Sequence, residues 1–277
     1  MKINISRERI ISSIFMIGLT ALAVLNSWYF IFMILALIIG GLYEFYYLVS
    51  KKGIPIYSYT GIFIGVLIPI SIFTGFELTK NWELLFIVLA LLLILLMQFS
   101  RKDNTNAIVG ISTTLFGVLY VSWFFSFLIK IRYLLPGIDG VKLLSFVLIV
   151  TKAGDIGALF VGSKYGKHPL LAKVSPNKSV EGSVGSFSFS IIAAVLGYFL
   201  IPHYFHLSLW QVALMGAFFG GVGQLGDLSE SLIKRDCNVK DSGKLLPGLG
   251  GVLDIIDSLL FTAPTFYFYM SSALNSL

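Results

Sequence analysis

Asp254 and Asp257 stand three residues apart near the start of the apolar run "LPGLGGVLDIIDSLLF", Leu246 to Phe261. On a helix that spacing puts both carboxylates on one face. Gly250 and Gly251 precede them, so the backbone there can lie against a ligand. In "GDLSESLIKR", Asp227, Glu230 and Lys234 fall at i, i+3 and i+7, again on one face, with Ser231 beside them. Lys152 and Asp155 form a third group at the same spacing; they either neutralise each other or belong to a site. Asp227, Asp254 and Asp257, with lysines and glycines between them, are what a polyphosphate–metal site needs. Mg²⁺ takes a few carboxylates plus phosphate oxygens, and Lys and Arg neutralise the phosphate charge that remains. Other polar residues read as ordinary. His168, His203 and His206 have no metal-ligand spacing, Cys237 reads as a plain thiol, and Glu44 reads as an interfacial residue rather than a ligand.

These groups must be held by membrane helices. Hydrophobic residues make up 57% of the 277, charged residues 12%, and mean hydropathy is +0.89; soluble domains carry about 25% charged residues. The chain reads as an all-α polytopic integral membrane protein, because each crossing must satisfy its own backbone. A helix needs about 20 apolar residues to cross, which gives about nine spans: 10–25, 28–48, 59–76, 83–99, 107–129, 143–163, 184–201, 208–227 and 252–272. No small-residue cleavage site follows the charged start, so the first span reads as retained. With the N-terminus cytoplasmic, inside segments hold 15 of the 20 Lys and Arg and outside segments hold Lys80, Lys130, Arg132 and Lys142; Lys152 lies within a span. That asymmetry follows the positive-inside rule. The +6 net charge therefore reflects topology and not a nucleic-acid partner. Residues 1–142 read as a transmembrane scaffold of about five helices. Residues 143–277 read as a catalytic region of about four, with cytoplasmic loops 164–183 and 228–251. One cysteine excludes an intrachain disulfide.

The C-terminal half resembles the CDP-diacylglycerol synthases, also called phosphatidate cytidylyltransferases. Ser231, Lys234, Arg235, Lys240, Asp241, Gly243, Leu246, Pro247, Gly250, Gly251, Asp254 and Asp257 follow that family's long signature in spacing. "GDLSES", "KVSPNKSVEG" and "GDIGALFVGSKYGK" resemble its shorter motifs, and the likeness covers roughly residues 150 to 265. It implies that CTP and phosphatidic acid give CDP-diacylglycerol and pyrophosphate with Mg²⁺ at the cytoplasmic membrane, on its cytoplasmic face. It implies metal ligation by Asp227, Asp254 and Asp257, with Lys234, Arg235, Lys240 and Asp241 also catalytic. Asp155, Lys173, Ser175, Lys178, Ser179, Glu181, Glu230, Ser231, Gly250 and Gly251 are then expected to bind substrate. A second, monovalent cation and a homodimer are left open. The chain departs from the family at Leu249, where His is usual, at Ile255, where Arg is usual, at Ser179, where Thr is common, and at Lys152, where a neutral residue is expected.

Other functions fit parts of this pattern. One is a different CTP-using lipid enzyme, such as a CDP-archaeol synthase or a polyprenol kinase. Another is a family member that only binds lipid. A third is an ion-coupled transporter using Lys152, Asp155 and Asp227. A transporter of that kind is built from repeated halves with broken helices meeting at midplane; no such repeat is visible, and the charges cluster toward one side.

Overall fold

The computed structural model describes residues 7–76, 82–243 and 250–275. Lys80, Lys244, Leu246, Pro247 and Leu249 lie outside the described residues, so the expectations placed on them do too. Among the described residues the protein is helical apart from one hairpin. The elements are α1 (Arg7–Leu25), α2 (Ser27–Ser50), α3 (Ser58–Thr74), α4 (Trp82–Phe99), α5 (Ala107–Gly117), α6 (Phe124–Leu134), α7 (Ile138–Tyr165), β1 (Pro169–Leu171), β2 (Ser175–Ser179), α8 (Val180–Leu196), α9 (Leu209–Asp236) and α10 (Leu253–Asn275). A π-helical turn, Val118–Trp123, joins α5 to α6 into one 28-residue rod, Ala107–Leu134.

Local chemistry explains several boundaries. Asn26 alone separates α1 from α2. Its extended backbone breaks the helix, and its side chain accepts from the Trp28 and Tyr29 amides at 2.9 and 3.3 Å. Ser208 and Gln211 form a capping box that starts α9. Ser179 caps α8, accepting from the Gly182 amide at 3.0 Å.

Four helices are long and apolar enough to cross a membrane: Ser27–Ser50, Trp82–Phe99, Ala107–Leu134 and Ile138–Tyr165. Ile11–Leu25, Ser58–Thr74 and Val180–Leu196 are shorter apolar helices. The expected count of nine is therefore not reached on length and composition alone; α9 ends in Asp227, Glu230, Lys234, Arg235 and Asp236, and α10 carries Asp254 and Asp257. Phe15, Leu84, Leu92, Phe99, Leu214 and Phe218 are among many large apolar side chains left exposed. Soluble monomers rarely expose apolar surface on that scale; a bilayer covers it in a membrane protein.

The core ignores the division drawn at residue 142. Ile34, Ile38 and Leu42 of α2 share one buried cluster with Val121, with Phe146 of α7, Phe219 of α9 and Ile256, Leu260 and Phe266 of α10. Glycine brings α7 and α8 together. A Cβ on Gly157 would lie 2.5 Å from the Gly185 carbonyl oxygen, and one on Gly185 2.6 Å from that of Gly157. Small residues at such crossings let membrane helices pack backbone to backbone.

Candidate active site

α9 and α10 meet where a Cβ on Gly226 would run into the carbonyl oxygen of Asp257. That contact sets Asp227 beside Asp257. Carboxylate oxygens of Asp227, Glu230 and Asp257 lie within 4.8 Å of one another, with Glu230 and Asp257 buried. Asp257 Oδ1 also accepts from the Ser258 amide at 2.6 Å. Lysines close the cluster from two sides. Lys178, on β2, pairs with Asp227 at 2.5 Å. Lys234 bridges Glu230 at 2.6 Å and Asp254 at 2.5 Å.

Asp254 has several partners within the chain. Besides Lys234, its Oδ2 accepts from the Ser242 amide (3.2 Å), the Ser242 hydroxyl (2.8 Å) and the Gly251 amide (2.8 Å). The carboxylate thus ties Ser242 and Gly251 to the first turn of α10. The third carboxylate that geometry brings to Asp227 and Asp257 is Glu230, expected only to bind substrate. Gly250 has φ +94, a conformation that suits glycine, and a Cβ there would meet the Asp254 carboxylate at 2.6 Å.

The segment expected as a loop at 164–183 contains the antiparallel hairpin β1–β2. Lys173 is exposed near its tip, Ser175 is buried and Lys178 faces Asp227. Glu181 accepts from the backbone amides of Lys167 and His168 at 3.0 and 3.2 Å and contacts His168 Nδ1 at 2.6 Å. It fastens the base of the hairpin. Arg235 reaches the Val174 carbonyl at 3.4 Å, so α9 holds the tip as well. Ser231 is buried on α9, whereas Lys240 and Asp241 are exposed beyond the helix end.

Glu44, read from sequence as interfacial, is a buried cap. Its Oε1 accepts from the Val252 amide at 2.9 Å and its Oε2 from the Leu253 amide at 3.0 Å, and Oε2 also lies 3.0 Å from the Ser242 hydroxyl, whose single proton is shared with Asp254. It therefore satisfies the free amides at the start of α10 and sits at the positive end of that helix. The signal available was an acid in an otherwise apolar span, where ionisable groups are costly. Lys152 is also engaged across elements. It pairs with Asp155 at 2.9 Å as the spacing suggested, and it reaches α10 as well, at the Ile255 carbonyl and the Ser258 hydroxyl.

The arrangement offers an anionic, all-oxygen pocket flanked by two ammonium groups at one end of the bundle. Hard oxygen donors of this kind suit Mg²⁺, and the lysines suit the phosphates that accompany it.

Comparison with known proteins gives the family. The profile of the cytidylyltransferase family matches residues 7–273. The phosphatidate cytidylyltransferase of Synechocystis sp. is 34% identical over 95% of this chain and 96% of its own length. The phosphatidate cytidylyltransferase of Haemophilus influenzae is 32% identical over 95% of this chain and 98% of its own. That of Bacillus subtilis is 35% identical over 67% of each.

Proposed function

The chain belongs to the cytidylyltransferase family, and from that premise we propose how its charged end works. The protein is a phosphatidate cytidylyltransferase that converts CTP and phosphatidic acid to CDP-diacylglycerol and pyrophosphate. A phosphate oxygen of phosphatidic acid attacks the α-phosphorus of CTP. The bond from that phosphorus to the bridging oxygen breaks, and pyrophosphate leaves with the electron pair. Such a transfer needs positioning and charge neutralisation more than covalent chemistry.

The observation that carries this reading is the convergence of Asp227, Glu230 and Asp257 between Lys178 and Lys234. Asp227 and Asp257 would hold Mg²⁺, with Glu230 the nearest third carboxylate and Asp254 acting through Lys234. Mg²⁺, when bound, supplies neutralisation of the triphosphate and polarises the α-phosphorus. Lys178 and Lys234 orient the phosphates, and the hairpin brings Lys178 to Asp227. The nucleophile needs no proton acceptor near neutral pH. A phosphate monoester has its second pKa near 6.

The same reading extends to topology. The nine rods cross the cytoplasmic membrane, the N-terminus is cytoplasmic, and the carboxylate end faces the cytoplasm, where CTP is dissolved and the lipid head group lies within reach. Its support is the 15-to-4 Lys and Arg asymmetry. A transporter reading is disfavoured because the paired charges gather at one end of α9 and α10.

The deciding experiment incubates purified protein with CTP, Mg²⁺ and phosphatidic acid and follows CDP-diacylglycerol by mass. Product dependent on all three is expected. Its absence with active lipid substrate would remove the assignment.

A further inference from the structure

Lys178 and Lys234 each pair with a carboxylate of the cluster or its neighbour Asp254. Lys152 does not touch the cluster. Its Nζ lies in a fixed set of oxygens just beside it: Asp155 Oδ2 at 2.9 Å, the Ile255 carbonyl at 2.9 Å and the Ser258 hydroxyl at 3.0 Å. Ser258 in turn donates to Asp155 Oδ2 at 2.8 Å. An ammonium has three protons, so every donor is spent on the protein and none remains for a substrate phosphate. Ser258 is the residue after Asp257, and its amide holds the Asp257 carboxylate. The charges of Asp257 and Asp227 both act on Lys152.

A carboxylate, a backbone carbonyl and a hydroxyl around one unit positive charge form an oxygen cage. A small monovalent cation takes the same kind of cage when it sheds water. Asp155 and Asp257 carry like charges that act on each other, and the ammonium offsets both. We infer that Lys152 is a resident monovalent cation of the site: its ammonium fills a cation subsite beside the Asp257 turn, so the reaction needs no free monovalent ion. The inference rests on the carboxylate cluster being the reaction centre.

The test measures turnover of the natural protein in N-methylglucamine, Na⁺, K⁺ and NH₄⁺ chlorides at equal ionic strength. Equal rates are expected. Lys152→Ala should lose about tenfold or more in N-methylglucamine chloride and recover with K⁺, NH₄⁺ or methylammonium. In parallel, the melting temperature of Lys152→Ala in detergent should rise with K⁺ or methylammonium over the N-methylglucamine control, while that of the natural protein does not. A natural protein that requires one particular monovalent ion would overturn the inference. So would a folded Lys152→Ala that keeps full turnover without small cations, or one that no cation rescues or stabilises. Should Lys152→Ala fail to fold, Lys152→Met keeps the apolar stem and is held to the same two outcomes. If no salt gives turnover in any variant, the reaction assignment fails, and the melting shifts still decide the cation subsite.

Discussion

At the scale of single residues, the carboxylates divide into two kinds. Among the described residues, Asp227 and Asp257 accept from no backbone amide of another element, whereas Asp254 binds Ser242, Gly251 and Lys234 at once. Asp227→Asn and Asp257→Asn should each lower turnover by about 10²-fold or more, because removing a metal carboxylate costs several kcal/mol of transition-state charge stabilisation. Near-normal turnover of either variant at modest Mg²⁺ would sink the metal site. Glu230→Gln and Asp254→Asn separate the two candidate third ligands. A metal ligand, once lost, should raise the Mg²⁺ needed for half-maximal rate; loss of a residue that positions Ser242 and Gly251 should lower the maximal rate at an unchanged Mg²⁺ requirement. Leu249 bears on the proton. Because the lipid phosphate is already largely ionised at neutral pH, the natural protein should be active. Its rate should fall as pH drops below about 6, where that phosphate takes up its proton. Leu249→His should change the rate at pH 8 less than about tenfold, well short of what a general base supplies to an alcohol nucleophile. A pH–rate profile of both proteins, with CTP and Mg²⁺ saturating, checks this; restoration of a dead enzyme by His would show that a base is required.

At the scale of elements, two contacts hold the reacting groups in place. One is the close crossing of α9 and α10 at Gly226, where any side chain must push against the Asp257 backbone. Gly226→Val should separate Asp227 from Asp257 and lower turnover, with the added strain costing about 1–3 kcal/mol; unchanged activity and melting temperature would show that the crossing is not needed. The other is Glu44. Glu44→Ala leaves the buried Val252 and Leu253 amides unpaired, at about 1–3 kcal/mol each. A lower melting temperature in detergent and a lower rate at unchanged CTP affinity are expected. Much of the element level was legible beforehand. Asn26 between two apolar runs and Ser208 three residues before Gln211 are local signals, and i, i+3 spacing announces the carboxylate faces. The hairpin was not legible, because "SPNKS" has the composition of a loop and becomes β2 only through pairing with Pro169–Leu171. Nor was the approach of Glu230 to Asp227 and Asp257, which depends on how two helices cross.

At the scale of the whole molecule, contacts gather the positively charged segments at one end. Lys52 pairs with Asp236 at 2.5 Å, and that carboxylate holds the ammonium above its ordinary pKa. Arg101 donates to the carbonyls of Pro55 and Ile56, each at 3.0 Å, and Arg235 reaches Val174. These are the segments the charge asymmetry assigned to one side. Single cysteines replacing Lys178 and Lys240, in a Cys237→Ser background, should react with impermeant reagents only after cells are opened; labelling of intact cells would reverse the orientation and part the site from CTP. Sequence could group those segments by charge, yet nothing near Glu44 indicates a partner 208 residues away. That separation has a consequence for biogenesis. A ribosome delivers α2 to the membrane long before it makes Val252 and Leu253, so Glu44 enters as a carboxylate without its amides. The early helices are then an unfinished acceptor, closed only when the last one arrives. Chains stopped before α10 should carry an uncompensated acid at the membrane edge and be cleared by quality-control proteases faster than the full chain, and Glu44→Ala should narrow that difference in a pulse-chase measurement.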